Sequence, residues 1–310
     1  MTDLQIRKMR FAFADYDVPF LWNETNPAFS SMANAVSFLA IAFEKMIGSM
    51  IPEAMPLITD PEIAEEAQAF VRQEGQHSMA HRQHAKGLVK SYPGLKETLD
   101  AVIASFDDLT ANKSLEYRLA YTAALEATFT PVFKLMLDND ATLFAPGDDR
   151  VASLFLWHFV EEVEHRSSAL IIYDAIVDDP WYRMRMAPSI FKHVMKTIRI
   201  ACEGFNKHVP LEDRKIDALS MFRLARRKKR LMQRLPFVDA PYDGPFEEAF
   251  NDLPPREQLT AMSGIVRSQI PGHNPAHEKL PALAEEWFNR YDAGDDVTLW
   301  YTKATAASNV

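Results

Sequence analysis

Trp157-His158-Phe159-Val160-Glu161-Glu162-Val163-Glu164-His165-Arg166 is the stretch on which the reading of this chain turns. Residues three and four apart share a face of an α-helix, so His158, Glu162 and His165 project together. Extended both ways, the stripe reads Val151, Phe155, His158, Glu162, His165, Ala169, Ile172, alternating steps of four and three. That spacing is the core seam of a bundle helix. Ionisable groups buried singly in such a seam would cost on the order of several kcal/mol each. A metal ion is the group that best neutralises them together.

The same pattern lies upstream. Thr59-Asp60-Pro61-Glu62 supplies a cap, a proline and first-turn acid, predicting a helix to about Tyr92-Pro93-Gly94. Its seam is Ile63, Ala67, Phe70, Glu74, His77, His81, His84, Leu88, again a Glu-x-x-His between apolar ends. Two more helices contribute one acid each. The first is expected from near Ala28, after start signals at Asn26-Pro27 and Ser30-Ser31, to Met50 before Pro52, with Ser37, Ile41, Glu44, Gly48 and Ile51 on its seam. The third runs from Ser114 to about Leu137, with Leu119, Thr122, Glu126, Phe129 and Phe133 on one side and Pro131 as an internal kink. Leu95 to Phe106 reads as a crossover, and the fourth helix as continuous from Pro146-Gly147-Asp148-Asp149 to Asp178-Asp179-Pro180. Glu44 and Glu126 are 82 residues apart and Glu74 and Glu162 are 88 apart, as if one helix pair were used twice.

Four helices thus offer Glu44, Glu74 with His77, Glu126, and Glu162 with His165, the donor set of a carboxylate-bridged two-metal centre. Four carboxylates and two imidazoles suit two iron ions, with manganese or a mixed iron/manganese pair as alternatives. His158 is read either as a further metal ligand or as a core histidine bonding Glu44 or Glu126, and His81 as an additional ligand or a partner behind the ligands. Glu161 and Glu164 flank the seam and are expected to be solvated or paired with Arg166. His84 is expected to be a polar residue nearer the bundle end, and Trp157 to be packing.

The order Glu, Glu-x-x-His, Glu, Glu-x-x-His resembles the ferritin-like di-iron carboxylate superfamily over residues 28 to 178. Arg7-Lys8-Met9-Arg10-Phe11, Asn34-Ala35-Val36-Ser37, Arg72-Gln73-Glu74-Gly75-Gln76-His77, Thr122-Ala123-Ala124-Leu125-Glu126, Trp157-His158 through His165, and Pro271-Gly272-His273-Asn274-Pro275 resemble a bacterial family of predicted metal-dependent hydrolases. Ala40-Ile41-Ala42-Phe43 departs from the Phe-Pro-Glu-Gly-like stretch usual there before the first acid. His158, four residues before Glu162, also resembles the third histidine of di-iron arylamine N-oxygenases. These resemblances imply an all-α, ferritin-like four-helix bundle with additional C-terminal helices. They imply a di-iron oxygen-activating oxidoreductase, a metal-dependent hydrolase, or a non-catalytic metal-binding or storage protein.

Composition bounds the rest. With 310 residues and 47% hydrophobic content the chain can build a full core, organised as an arm over 1–27, a di-metal bundle over 28–180 and a helical extension over 181–310 packed on it. One cysteine, Cys202, excludes a disulfide framework and thiolate-rich metal sites within the chain, and fits the cytoplasm. No run is expected to reach the roughly 18–20 apolar residues of a membrane span, and a net charge of −9 argues against general nucleic-acid binding. A small-molecule substrate is expected, and an electron donor, a homo-oligomer and peripheral membrane contact stay compatible with the composition. Pro188 to Phe205 reads as a helix packed on the bundle or a membrane-surface element. Arg223 to Arg234 reads as a basic amphipathic helix, exposed or meeting anionic lipid or an acidic partner. Phe43, Phe70, Phe129, Phe133 and Phe155 around the expected site suit a partly apolar substrate or simply a filled core.

Overall fold

The computed structural model describes residues 4–221 and 244–302, and among them there are helices and turns but no strand. The basic stretch Arg223 to Arg234 lies outside the described residues. Helix α1 spans Pro27–Ala54, α2 Pro61–Ser91, α3 Leu95–Asn112, α4 Leu115–Leu137, α5 Asp149–Glu164, α6 Ser168–Ile176, α7 Tyr182–His208, α8 Pro255–Ser268 and α9 Ala282–Asp292.

The starts obey local chemistry. Asn26, Asp60, Ser114 and Asp148 each accept a backbone N–H of the first turn of α1, α2, α4 and α5, offsetting donors that the helix itself leaves unpaired. Of the two start signals for α1, Asn26-Pro27 is the one used. The helix also runs past Met50 and through Pro52, because a proline so near the end removes only one of its last hydrogen bonds. Pro131 stays inside α4, and Gly264 of α8 lies against its ring, where a Cβ would crowd it.

The expected fourth helix is two. Backbone continuity stops at His165 (φ −90°, ψ 15°) and resumes at Ser168, and α6 ends at Ile176 rather than at Asp178. Tertiary bonds hold the break: Arg166 donates to the carbonyls of Val163, Pro275, Ala276 and Glu278, and Ser168 Oγ donates to the buried Glu66.

Helix α1 packs along α2, α4 packs against α5 and α6, and cross-contacts of α1 with α4 and of α2 with α5 and α6 close the four-helix arrangement. The crossover α3 lies on α1 and α7. The expected Pro188 to Phe205 helix is the longer α7, packed on α1, α3 and α4 with Ile190, Val194, Ala201 and Phe205 buried, so the packed reading holds. Helix α8 covers α4 and α9 touches α5. The N-terminal segment is less an arm than a strap, driving Phe11, Phe13, Val18, Phe20 and Trp22 into the core. Contrary to expectation, Pro27–Leu57 is long and apolar enough to cross a membrane by length and composition, but it is mostly buried as the central core helix.

Gly204 marks a close approach of α7 to α3, since a Cβ there would overlap the buried Thr98 side chain. Gly204→Ala is expected to lower the urea-unfolding free energy by about 1–3 kcal/mol, the usual cost of overpacking. Thr98→Ala added to it should recover part of that loss, and simple additivity of the two changes would argue against this contact.

Candidate metal centre

Glu44, Glu74, His77, Glu126, His158, Glu162 and His165 converge in the bundle interior, none more than 4% exposed. On one side, His165 Nε2 lies 3.2 Å from Glu74 Oε1, 3.3 Å from Glu162 Oε2 and 3.5 Å from Glu126 Oε2. On the other, His77 Nδ1 lies 3.6 Å from Glu162 Oε1 and 3.9 Å from Glu74 Oε2. His158 Nε2 lies 2.8 Å from Glu162 Oε1 and 3.7 Å from Glu44 Oε1. The two Glu-x-x-His acids therefore straddle the centre, each turning one oxygen toward each side. Glu126 stands on the His165 side and Glu44 on the His158 side.

Donors bound about 2.1 Å from one ion at right angles to each other sit roughly 3 Å apart, a spacing that the His165 side nearly has. Every one of these glutamates, with His77 and His165, also carries a buried atom that no hydrogen bond satisfies: Glu44 Oε2, both oxygens of Glu74 and of Glu126, Glu162 Oε2, His77 Nδ1 and His165 Nε2. Buried polar atoms are nearly always paired. Orphans gathered from four helices onto one point are atoms that a cation would satisfy, and the geometry could hold metal ions in several overlapping groups of these residues.

The electrostatics agree. Burial, then the charges of Glu162 and Glu126, push the Glu44 and Glu74 carboxyls well above the usual range. Burial and Glu162 raise Glu126 to about 8. Burial would raise Glu162 too, but His165 and His158 hold it well below the usual range. His165 is raised by its carboxylates in spite of burial. Burial, followed by neighbouring imidazoles, lowers His158 to about 4.

Behind the centre, each histidine's remaining nitrogen is engaged. His77 Nε2 donates to Glu161 Oε2 at 2.9 Å, and His165 Nδ1 meets Gln73 Oε1 at 2.9 Å. His158 Nδ1 meets His81 Nε2 at 2.8 Å, and a chain continues from His81 Nδ1 to Ser37 Oγ and on to His84 Nδ1. His84, expected nearer the bundle end, is the last member of this chain. It is fully buried, covered by Phe13 of the N-terminal segment, and burial lowers it to about 3.

Glu161 and Glu164 are neither solvated nor paired with Arg166. Glu161 is fully buried, and Arg7 bonds it at 3.1 Å and Glu164 at 2.8 and 2.9 Å. Arg166 instead serves the loop carbonyls described above. Trp157 is packing, as expected, fully buried against His77 and Phe11. Sequence reasoning missed Arg7, Gln73 and Ser37. Gln73 sits beside Glu74 and Ser37 on the α1 seam, but nothing local marks the three as partners.

The shifts fix a pH dependence for the metal-free fold. Between the ordinary histidine value of 6.5 and about 8, the folded chain keeps a proton on Glu126 that the unfolded chain releases, and the raised Glu44, Glu74 and His165 act in the same direction. The native state then binds more protons, so stability falls as pH rises through that window. The lowered His81, His84 and His158 act in the opposite sense, mainly below 6.5. The urea midpoint of chelator-stripped protein should be lower at pH 8 than at pH 6.5, and an equal or higher midpoint would contradict the assignment.

Among known proteins, one family model, described as "Predicted metal-dependent hydrolase", matches residues 5–241. No curated protein and no solved structure matches the chain. The matched span takes in α1 to α7 and with them every residue of the buried centre. The chain therefore belongs to the predicted metal-dependent hydrolase family.

Proposed function

We propose that the chain is a di-metal carboxylate enzyme of the ferritin-like kind, in which two iron ions activate dioxygen to oxidise a small, partly apolar substrate. The convergence of unpartnered carboxylate oxygens and imidazole nitrogens carries this reading. Residues 28–180 form the metal-holding bundle, and the described residues of 4–27, 181–221 and 244–302 cover it. Glu126 and His165 would hold one ion and Glu44, His77 and His158 the other, with Glu74 and Glu162 offering one oxygen to each side. A mixed iron/manganese pair would fit the same donors. When bound, ferrous ions supply two electrons toward dioxygen, and substrate or an electron donor supplies the other two.

The chain's own residues do the rest. With His158 Nε2 turned to the metal, its Nδ1–H donates to His81, His81 Nδ1–H to Ser37, and the Ser37 hydroxyl to His84. His81 therefore orients a ligand from behind and is not itself one. Phe70, Phe133 and Phe159 pack on or near His165 and His158 and keep water from the centre. The near-zero exposure of the donors favours small, apolar reactants such as dioxygen over bulky hydrolysable ones. The family description favours the second reading, hydrolysis at the same centre.

Reconstituted protein is expected to hold two metal ions per chain by elemental analysis, and Glu162→Ala to lose or weaken both, with a lower melting temperature than the loaded parent. One ion or none in the parent would falsify the di-metal reading. Ferrous protein exposed to oxygen should consume it while its Mössbauer spectrum turns ferric. Turnover of esters, amides or phosphoesters by anaerobic zinc or manganese protein would instead establish the hydrolase.

A further inference from the structure

Arg7 lies in the N-terminal segment, far in sequence from every candidate donor, yet its guanidinium joins the supports of two histidines on opposite sides of the centre. One arm runs from Arg7 Nη1 to Glu161 Oε1, whose other oxygen accepts from His77 Nε2. The second runs from Arg7 to both oxygens of Glu164, from Glu164 Oε2 to Gln73 Nε2 at 2.8 Å, and from Gln73 Oε1 to His165 Nδ1. Both arms are buried or nearly so, with the Arg7 side chain 4% exposed and that of Glu164 12%.

The logic of the second arm is directional. A carboxylate gripped by a guanidinium can only accept, so Glu164 draws the amide N–H₂ of Gln73, which the Gln5 carbonyl also accepts. That fixes the Gln73 amide with its oxygen toward His165. An oxygen there requires a proton on His165 Nδ1, so Nε2, facing Glu74, Glu126 and Glu162, is the nitrogen whose lone pair a cation would take. In the first arm Glu161 likewise keeps the proton on His77 Nε2 and bares Nδ1. Were either arm to reverse, a histidine would present an N–H to the cation instead of a lone pair.

The guanidinium is itself seated. The rings of Phe288, Tyr291 and Trp287 on α9 stand 4.6, 5.6 and 5.9 Å from it, a cation–π seat that holds it in one position.

We propose that Arg7 is a positioning residue that sets the tautomer and orientation of both His77 and His165, so that one side chain outside the centre prepares both metal subsites. The proposal rests on the metal reading given under Proposed function. Lysine cannot replace it, because one ammonium cannot reach both carboxylates with the planar fork that the arrangement uses.

The test uses the full-length chain, stripped of metal and titrated anaerobically with Co²⁺ against a competing chelator, with the visible Co²⁺ spectrum recorded. Arg7→Met should weaken both ions by roughly 10- to 100-fold, the usual loss when a partner behind a ligand is removed, and shift the bands of both. Arg7→Lys should restore little of this. Gln73→Leu should perturb only the ion on His165. Phe288→Leu, which removes just one ring from the seat, should move both ions in the same direction by less. Parent protein binding two Co²⁺ while a folded Arg7→Met matches it in affinity and spectrum overturns the proposal alone. If Arg7→Met does not fold, Phe288→Leu decides, and parental behaviour in that variant overturns it. Parent protein that binds no Co²⁺ overturns the metal reading, and the positioning role with it.

Discussion

Four carboxylates share one dry interior, and the rest of the molecule is arranged around that constraint. Two like charges about 4 Å apart repel by roughly 4 kcal/mol at an effective dielectric of 20, and Glu44, Glu74, Glu126 and Glu162 hold several such pairings at once. Protonation relieves the metal-free chain, so burial first and this repulsion second raise Glu126 to about 8 and raise Glu44 and Glu74 as well. Cations relieve it differently, by using the oxygens that protonation would spend. The apolar shell makes both solutions sharper: with Phe70 edge-on to His165 at 5.1 Å and Phe133 near His158, little water can screen the charges.

What could be read from residue order was what repeats at the helical period. The seams through Glu44, Glu74, Glu126 and Glu162, and the caps Asn26, Asp60, Ser114 and Asp148, are local patterns, so the helices and the convergence of the acids were legible. The remainder depends on partners distant along the chain. Glu161 was misread because its cation, Arg7, is 154 residues away, while Arg166 lay temptingly close. The break at His165 has no glycine or proline to announce it, since its cause is Arg166 fastened to a loop more than a hundred residues later. That His84 ends a buried chain running from His158 and lies under Phe13 is likewise something no periodicity reveals. Support for a site, unlike the site's own donors, is written mostly in long-range contacts.

The aromatic seat of Arg7 bears on how the protein comes into being. Arg7 and helices α1 to α6, with all the candidate donors, precede α9 in the chain, so during synthesis a bundle can collapse while α9 is still unmade. In that interval Glu161 and Glu164 face a guanidinium with nothing to hold it, and the histidine tautomers are not yet enforced. On the positioning role proposed for Arg7, the centre would mature once α9 has closed over the segment that carries that residue. Completion of α9, and not collapse of the bundle, would then set the moment at which the centre is prepared for metal.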